Sequence, residues 1–526
     1  MADISARKPV EHRALPSRWG PLQAHRDSCA TPPHCARLAS ALSYDADVQH
    51  AAWDASRIRS VSCRSAIVGD LATAYLVCSA WRSTTRPVFM SEDFATCRLD
   101  RDAPRRRSRV APKYRKTGYA EAFDDRTLWF DAIWDKGVVT LVCPRLNNLG
   151  SLVRTGTFTL DGRPAPMRLR TFYRHSLTRL KSPTLPQRVT FVAGNTQLET
   201  PVHEATPERF RGRNVIVTMS RNNDLVWIED FARFHAQTQG AEGIVFVDNG
   251  STDYEVGDLQ RVLERAGLDA LVLRTALTFG PRGRSPFGNT ELFLQTCALN
   301  AVRLRYLQQA RAVLCCDIDE LVLSRTPASI FDATWQSRFG LTRFAGEWRY
   351  APMPVEGDVV RHGDHGLRHL KKSACPAKWC VRPSGPLGDL QWRPHILEGF
   401  ALNWAFRSSA FTYHHCRQIT TGWKRDIALP EASRLVPTPT AREIAHGMRA
   451  APRPRSALRP TGPVSVATTA VRRFGEVASR RFFGLRPALK AASLGLVAFI
   501  GLAAEEAIDN DPVSQEIAYL MQGFEN

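Results

Sequence analysis

The sequence predicts an α/β protein built on a doubly wound, mostly parallel sheet. Short apolar segments alternate with amphipathic segments of helical period between residues 214 and 274. Two of the apolar segments end in an acidic residue. Residues 243–247 are followed directly by Asp248, and residues 313–316 are followed directly by Asp317. Ligands bind doubly wound sheets beyond the carboxyl ends of their strands, so both acidic stretches are predicted to border a ligand site.

Each element of the repeating unit has its own signal. Residues 214–219 are a short apolar strand, and residues 225–237 carry apolar side chains at helical spacing before Gly240, a helix-capping glycine. A strand at 243–247, a helix at 256–266 closed by Gly267, and a strand at 268–274 follow. A longer amphipathic helix is predicted at 290–309.

Two carboxylates, Asp317 and Asp319, follow the strand at 313–316. Strand geometry would turn both side chains to the same side, with Ile318 opposite. Neighbouring carboxylates repel each other unless a positive charge lies between them, and a hard divalent cation such as Mg²⁺ or Mn²⁺ supplies one. The alternative interpretation is a strand that ends in a solvated acidic turn.

Composition and predicted secondary structure divide the chain into four regions. Residues 1–120 are rich in Pro and Arg and are predicted to be a poorly ordered basic N-terminal region. Residues 121–210 predict a small β-rich domain, with a strand at 152–160, a turn at Asp161-Gly162 and a partner strand at 167–173. Residues 211–430 hold the doubly wound domain, and 431–526 read as a Pro/Arg-rich linker and a basic helical tail.

The net charge of +20 indicates acidic partners such as sugar nucleotides, an anionic membrane surface or nucleic acid. Nucleic acid is not expected, because aromatic residues are not interleaved with the basic runs. The 12 cysteines lack regular spacing and the N-terminus lacks an apolar signal segment, which together predict a cytoplasmic protein. The basic tail could lie on the inner face of an anionic membrane, or it could pack on the rest of the protein or be partly disordered.

Taken together, the segment VIVTMSRNNDLVWIEDFARFHAQTQGAEGIVFVDNGSTD and the later LCCDIDELVL resemble glycosyltransferases of the GT-A fold, in particular family 2 and family 92-like enzymes. The resemblance covers about residues 214–323 and extends more loosely to Lys424. Where relatives carry Asn-Glu after the first strand, this chain has Asn222-Asn223-Asp224, so an acid in that loop stands one position late.

The resemblance implies roles for particular residues. Thr218, Arg221 and Asn222 would line the donor nucleotide pocket, and Asp248 would hold the base or ribose. The metal, Mn²⁺ or Mg²⁺, would be held by Asp317 and Asp319.

Downstream, the resemblance is looser. There, one of the adjacent residues His414 and His415 is implied as a further metal ligand, with His415 as the candidate. Lys424 or Arg425 is implied as a phosphate ligand, with Lys424 as the candidate. An inverting enzyme needs a base that takes the acceptor proton, and Asp389 and Glu398 are the candidates in the acceptor region.

These expectations describe a metal-dependent glycosyltransferase that moves a sugar from a nucleoside-diphosphate sugar to a glycan or lipid-linked acceptor. One alternative is a nucleotidyltransferase, which uses the same carboxylate and metal chemistry. The other is a catalytically inactive GT-A scaffold or a basic binding protein. Release of a nucleoside diphosphate rather than pyrophosphate separates the first two.

Overall fold

The computed structural model of the 526-residue chain describes residues 93–352, 359–371, 373–400, 402–422 and 429–438. Lys424, residues 1–92 and the predicted tail beyond residue 438 therefore lie outside the described residues. Within those ranges, every helix is too short or too polar to cross a lipid bilayer.

The described chain alternates between strands and short helices. The helices are α1 Tyr119–Ala122, α2 Leu149–Thr155, α3 Leu225–Gln239, α4 Val256–Arg265, α5 Phe293–Val302 and α6 Ile330–Gln336. The strands are β1 Cys97–Arg98, β2 Thr127–Trp129, β3 Asp131–Asp135, β4 Val138–Pro144, β5 Thr157–Leu160, β6 Arg163–Pro164, β7 Met167–Thr171, β8 His175–Lys181, β9 Arg188–Ala193, β10 Thr196–Pro201, β11 His203–Glu204, β12 Asn214–Ser220, β13 Gly243–Asp248, β14 Asp269–Arg274, β15 Ala312–Cys315, β16 Glu320–Ser324, β17 Leu341–Arg349, β18 Leu367–His369, β19 Ala374–Val381, β20 Gln391–Trp392, β21 Leu397–Glu398, β22 Arg407–Cys416 and β23 Leu435–Pro437.

An eight-stranded mixed sheet, in the order β14-β13-β12-β15-β19-β17-β22-β16, organises the described residues. The first four strands are parallel, and β19 pairs antiparallel to β15. Every residue of β12 and β13 is buried, as expected for parallel strands covered on both faces. The expected doubly wound, mostly parallel sheet is therefore present in this half, and the other half is mixed.

Helices cover both faces of the parallel half. On one face, Ile216 of β12 shares a core with Ile228 and Phe231 of α3. On the other face, Val217 of β12 shares a core with Val302 of α5. Successive side chains of a strand point to opposite faces, so one apolar strand supplies both cores. This arrangement leaves the carboxyl ends of β12, β13 and β15 along one edge of the sheet.

Residues 121–210 form a β-rich region with two small sheets, ordered β11-β3-β4-β8-β7 and β10-β9-β5-β6. The region has a core of its own that includes Trp129 and Phe191. It also contributes Phe130 and Leu177 to the core that covers α5. The β-rich region is thus packed against the large sheet through α5.

The predicted hairpin in this region is only partly correct. Asp161 and Gly162 form the turn with φ of 48° and 78°, but β5 begins at Thr157 because residues 149–155 are helical. β5 continues the sheet through β9, whereas β7 pairs with β8 in the other sheet. Pro164 and Pro166 lack the backbone N–H that a longer β6 would donate, so the ladder ends after two residues.

Residues 93–120 differ from the poorly ordered region that the sequence predicts. The Arg106 guanidinium is buried and donates hydrogen bonds to the carbonyl oxygens of Asp124 and Thr127. The buried carboxylate of Glu291 accepts hydrogen bonds from Ser108 Oγ at 2.7 Å and Arg109 N at 2.8 Å. The charges and prolines of this segment predicted poor order, but these long-range hydrogen bonds attach residues 106–109 to the rest of the protein.

Candidate functional site

The loops after β12 and β13 are joined to each other by Asn222. Its backbone N–H donates to Ser251 Oγ at 2.9 Å, its Nδ2 donates to Thr252 Oγ1 at 3.1 Å, and its Oδ1 accepts from Thr252 N at 2.7 Å. Asn222 adopts a φ of 53°, a left-handed conformation that Asn tolerates better than most residues. Asn222 therefore fixes the register between the two loops at the predicted nucleotide pocket.

Asp248 ends β13 with a fully buried side chain. It accepts hydrogen bonds from the N–H and hydroxyl of Ser251, and its Oδ2 lies 3.7 Å from Arg274 Nε. Ser251 therefore orders the Asp248 loop and does not cap a helix, since α4 begins only at Val256. The carboxylate is held rigidly at the carboxyl edge of the sheet.

The other predicted nucleotide ligands lie on either side of these loops. Thr218 lines a small cavity with Gln295 and Cys316, and its buried hydroxyl has no hydrogen-bond partner among the described residues. The side chain of Arg221 is exposed. Asp224, the acid that stands one position late, is the N-cap of α3, where its Oδ1 accepts from Val226 N at 2.8 Å. This acid therefore has a structural role at the helix end.

Asp317 and Asp319 lie in the turn between β15 and β16, because β15 ends at Cys315. The strand alternation expected for these residues therefore does not apply. The N–H of Glu320 donates to the carbonyl oxygen of Asp317 at 3.0 Å and closes the turn. The two aspartates consequently have different partners.

Asp319, Glu320 and His415 form a cluster whose ligand atoms all lie within 4.8 Å of one another. Asp319 Oδ2 is 2.9 Å from His415 Nε2, and Glu320 Oε1 is 3.6 Å from His415 Nδ1. The antiparallel register of β16 with β22 brings this about, since Glu320 is paired directly with His415. The sheet thus joins residues that are almost 100 positions apart in sequence.

Asp317 instead contacts a buried lysine. Lys378 Nζ lies 2.8 Å from Asp317 Oδ2 and 2.8 Å from Glu320 Oε2, and Gln295 Nε2 donates to Asp317 Oδ1 at 3.2 Å. Burial opposes the charge on Lys378, but the two carboxylates raise its pKa well above the usual value. Lys378 therefore supplies a fixed positive charge inside the acidic turn.

The two adjacent histidines of β22 face opposite sides of the sheet. His415 packs its ring on Trp348, with centroids 4.0 Å apart, and faces the carboxylates. His414 is buried, its Nε2 lies 3.2 Å from Arg349 Nη2, and burial lowers its pKa to about 3. Strand alternation thus makes His415, and not His414, the candidate metal ligand.

His235, near the end of α3, contacts the strand that follows the acidic turn. His235 Nδ1 lies 2.9 Å from the Phe231 carbonyl oxygen, and its Nε2 accepts from Val322 N at 3.2 Å. Complete burial lowers the pKa of His235 to about 4, so the ring is neutral and can accept that bond. His235 therefore links α3 to β16, the strand that begins with Glu320.

Neither candidate base is among the three residues of the cluster, and each of them interacts with an arginine. Glu398 Oε1 accepts from Tyr173 N at 2.6 Å, and its Oε2 lies 3.8 Å from Arg393 Nη1. The exposed Asp389 interacts electrostatically with Arg303, which follows the last residue of α5. Gln295, which contacts Asp317, lies in the first turn of the same helix. The assignment of a base to either residue stays a prediction.

Two residues of the site had no predicted role. Glu320 belongs to the acidic motif LCCDIDELVL and is the first residue of an apolar strand. Pairing of that strand with the His-containing strand 407–416 would have pointed to Glu320 as a site residue. Lys378 had only a weaker signal, a lysine in the apolar strand 374–381. Buried lysines are rare unless they are paired, so a carboxylate partner was to be expected.

The cluster fits a hard or intermediate divalent cation. Two carboxylates and one imidazole offer the oxygen and nitrogen ligands that suit Mn²⁺, and the carboxylates also suit Mg²⁺. With all acids ionised, Asp317, Asp319 and Glu320 carry three negative charges and Lys378 one positive charge, so the formal charge is −2 (−3 + 1). A dication would neutralise that charge. The cluster lies at the sheet edge where a phosphate-bearing ligand can bind.

Comparisons with known proteins give only remote similarity. No family model and no curated protein matches the chain. The chain is similar to TarS of S. aureus at 14% identity, over 39% of this chain and 36% of TarS, with a TM-score of 0.22. For TarS 1–349 in complex with UDP, the identity is 14%, the coverage 39% and 60%, and the TM-score 0.23.

A third similar structure is the mannosyltransferase PcManGT from Pyrobaculum calidifontis in complex with GDP-Man and Mn²⁺. It is 13% identical, over 57% of this chain and 83% of that one, with a TM-score of 0.24. The chain spans 36% of the full TarS chain, well under two thirds of its length. Similarity this remote establishes neither the fold nor the activity of this chain.

Proposed function

We propose that this chain is a metal-dependent glycosyltransferase of the GT-A type. It transfers a sugar from a nucleoside-diphosphate sugar to a glycan or lipid-linked acceptor, with inversion at the sugar carbon. The observation that carries the proposal is the cluster of Asp319, Glu320 and His415 beside the linked loops of β12 and β13. Parallel sheets bind nucleotides at this edge, and a carboxylate cluster there suits a diphosphate bound through a metal ion.

Asp319, Glu320 and His415 would hold Mn²⁺ or Mg²⁺. When bound, the ion stabilises negative charge on the departing diphosphate as a Lewis acid. Lys378, in the neighbouring strand β19, holds Asp317 and Glu320 in place through ion pairs. The ammonium group of Lys378 thereby offsets part of the mutual repulsion of the neighbouring carboxylates.

The nucleoside would occupy the β12–β13 side of the cluster. Thr218 offers a buried hydroxyl, Asn222 fixes the two loops, and Asp248 provides a rigid carboxylate that can accept hydrogen bonds from a base or ribose. Arg221 is exposed next to Asn222 and is available to a phosphate. The proposed acceptor base remains Glu398 or Asp389, and Lys424 a proposed phosphate ligand outside the described residues.

Calorimetric titration of UDP-, GDP- and dTDP-linked sugars, with and without Mn²⁺, tests the donor site. We expect one nucleotide series to bind only with metal, and Asp319→Asn to lose that binding. Asp258→Asn is the matched control, because Asp258 is a half-exposed carboxylate on α4. Metal-independent binding, or equal losses in both variants, would contradict the proposal.

Product analysis separates the proposed reaction from nucleotidyl transfer. A glycosyltransferase releases the nucleoside diphosphate when the sugar is transferred to an acceptor or to water. A nucleotidyltransferase given a sugar phosphate and a nucleoside triphosphate releases pyrophosphate. Detection of pyrophosphate as the metal-dependent product would replace the proposed function.

A further inference from the structure

An exposed apolar surface lies on the connection between β21 and β22. The side chains of Leu402 and Trp404 are 45% and 60% exposed, and the value for Trp404 is the highest of any large apolar side chain that the structure describes. Exposed apolar side chains are ordinary when they are scattered singly, but a contiguous group of them marks an interaction site. We call this group the Trp404 surface and define it by Leu402, Trp404, Phe400, Phe406 and Phe339.

Three half-buried phenylalanines form the base of the Trp404 surface. The ring centroid of Phe406 lies 5.7 Å from that of Phe400 and 5.5 Å from that of Phe339. All three rings pack against the core that covers α5. The aromatic base therefore joins the connection to the body of the protein, and the two exposed side chains belong to a segment with a fixed support.

Asn403 fixes the backbone between the two exposed side chains. Its own side chain is buried, its Oδ1 accepts from Leu397 N at 3.0 Å, and its Nδ2 donates to the carbonyl oxygens of Leu397 at 2.9 Å and Phe400 at 2.6 Å. Residues Asn403–Phe406 form a single 3₁₀ turn. A segment held in this way is ordered before it meets a partner, so that binding costs little conformational entropy.

The rim of the Trp404 surface is positively charged. Arg407 is exposed at the start of β22, and the exposed Arg338 places its guanidinium carbon 5.9 Å from the ring centroid of Phe339. Neither residues 337–345 nor residues 399–410 contain an Asp or Glu. The net charge of the chain, +20, has the same sign as the rim. A partner that fits this surface therefore combines an apolar phase with negative charge.

The Trp404 surface has few groups that could bind a sugar. Among residues 399–406, only Asn403 has an amide, hydroxyl or charged side chain, and that amide is buried and bonded within the connection. A sugar subsite needs such groups, because hydroxyls that lose water without new hydrogen bonds cost free energy. An exposed Trp beside an aliphatic side chain and arginines is instead typical of the interfacial region of a bilayer.

We propose that the Trp404 surface docks the protein on an anionic lipid bilayer. Leu402 enters the acyl region, and Trp404 lies at the level of the headgroups. Arg338 and Arg407 contact lipid phosphates. The inference goes beyond the proposed function and does not depend on it. Together, the two favour the lipid-linked acceptor over a soluble glycan, because such an acceptor is confined to the membrane surface.

The test is co-sedimentation of the full-length protein with vesicles of phosphatidylcholine alone and of phosphatidylcholine mixed with an equal amount of phosphatidylglycerol. We expect the mixed vesicles to bind more tightly, and Leu402→Ser and Trp404→Ser each to weaken that binding by about tenfold, which corresponds to about 1.4 kcal/mol. Leu185→Ser is the matched control, because Leu185 is 42% exposed in the connection between β8 and β9 and should leave vesicle binding unchanged.

Basic residues elsewhere on the chain also attract anionic vesicles, so the charge of the rim is tested separately. Arg338→Gln/Arg407→Gln should weaken binding to the mixed vesicles by about tenfold. Arg168→Gln/Arg170→Gln, which removes two exposed charges from β7, should have a much smaller effect. Equal losses in the two double variants would show that the net charge alone attracts the vesicles, and would overturn the role of the rim.

Absence of vesicle binding by the wild type, unchanged binding in Leu402→Ser or Trp404→Ser, or an equal loss in Leu185→Ser would overturn the proposal. Equal binding of the wild type to both kinds of vesicle would overturn the assignment to an anionic surface. Sedimentation velocity without lipid tests for a second copy of the chain. A wild-type dimer that Trp404→Ser dissociates would replace the bilayer by an interface between protomers.

Failure of the membrane contact and failure of the proposed function are distinguishable. Trp404→Ser should bind the nucleotide sugar as the wild type does in the calorimetric titration, because that experiment contains no vesicles. Vesicle binding without any nucleotide binding by the wild type would leave the membrane contact standing and would remove the proposed function. Nucleotide binding without vesicle binding would do the opposite.

Discussion

Lys378 illustrates how one residue sets the charge of the whole acidic turn. Its ammonium group is almost completely buried and lies 2.8 Å from a carboxylate oxygen of Asp317 and of Glu320. Burial raises the pKa of Glu320, and the Lys378 charge opposes that rise. A buried charge is tolerated only when it is paired, so neither partner is replaceable alone.

Replacing Lys378 by Met should therefore destabilise the protein by about 3–5 kcal/mol, since it leaves buried carboxylates without their cation. Thermal and urea unfolding measure the loss. The double variant Lys378→Met/Glu320→Gln should recover part of it, because the uncompensated charge is removed as well. Equal stability of the single and double variants would show that Glu320 is not ionised in the folded protein.

Single-residue variants distinguish the two candidate bases, Glu398 and Asp389. Glu398→Gln keeps the shape of the side chain and its contact with Tyr173 N but removes the charge. If Glu398 is the base, sugar transfer should fall by about 10²–10⁴-fold with unchanged donor binding, while Asp389→Asn stays active. The reverse pattern would identify Asp389. Full activity of both variants would remove both residues from the list of bases.

At the scale of elements, the site depends on loops that are bonded to one another across the sheet edge. Asn222 connects the β12 and β13 loops through three hydrogen bonds and has a left-handed backbone. His235 connects α3 to β16 in a similar way. The rigid scaffold thereby fixes loops whose own sequences are polar and contain little apolar surface.

Comparison of Asn222→Gly with Asn222→Ala separates the contribution of the side-chain hydrogen bonds of Asn222 from that of its left-handed backbone conformation. Both variants lose the side-chain bonds to Thr252, but only Ala is strained at positive φ, by about 1–2 kcal/mol. We therefore expect Asn222→Ala to unfold at lower temperature than Asn222→Gly, and both to bind the nucleotide more weakly. Identical melting temperatures would mean that the loop relaxes away from φ of 53° without cost.

At the scale of the whole molecule, buried histidines should make stability depend on pH. Burial lowers the pKa of His175 and His235 to about 4 from 6.5, and that of His365 and His414 to about 3. The folded state keeps these rings neutral, while the unfolded chain takes up protons below about pH 6.5. Their contribution is therefore complete above pH 6.5 and is lost as the pH falls towards 4.

Thermal unfolding at pH 7.5, 6 and 5 checks this expectation. Each fully buried histidine should cost about 2 kcal/mol between pH 6.5 and pH 5, since one pKa unit corresponds to about 1.4 kcal/mol. The melting temperature should thus fall steeply over this range, before most carboxylates titrate. A constant melting temperature from pH 7.5 to pH 5 would show that these rings accept protons in the folded protein.

The sequence by itself determined the parallel half of the large sheet. The runs that became β12, β13 and β14 are continuous and apolar, and the helices between them end at Gly240 and Gly267, which have φ of 69° and 87°. Such signals are local, because a few neighbouring residues decide whether a segment can be a buried strand or a capped helix. Asp248 at the carboxyl end of β13 followed directly from that pattern.

Only the tertiary structure decided which side chains meet. Glu320 lies beside His415 because β16 and β22 pair in an antiparallel register, and Lys378 of β19 forms an ion pair with Glu320. The Tyr173 ring likewise contacts Arg109, which is distant in sequence. No local pattern encodes such pairings, because they depend on strand order and on which face each residue occupies. For the same reason, Asp317 and Asp319 were expected to act as a pair but have different partners, and the predicted hairpin of the β-rich region is divided between two sheets.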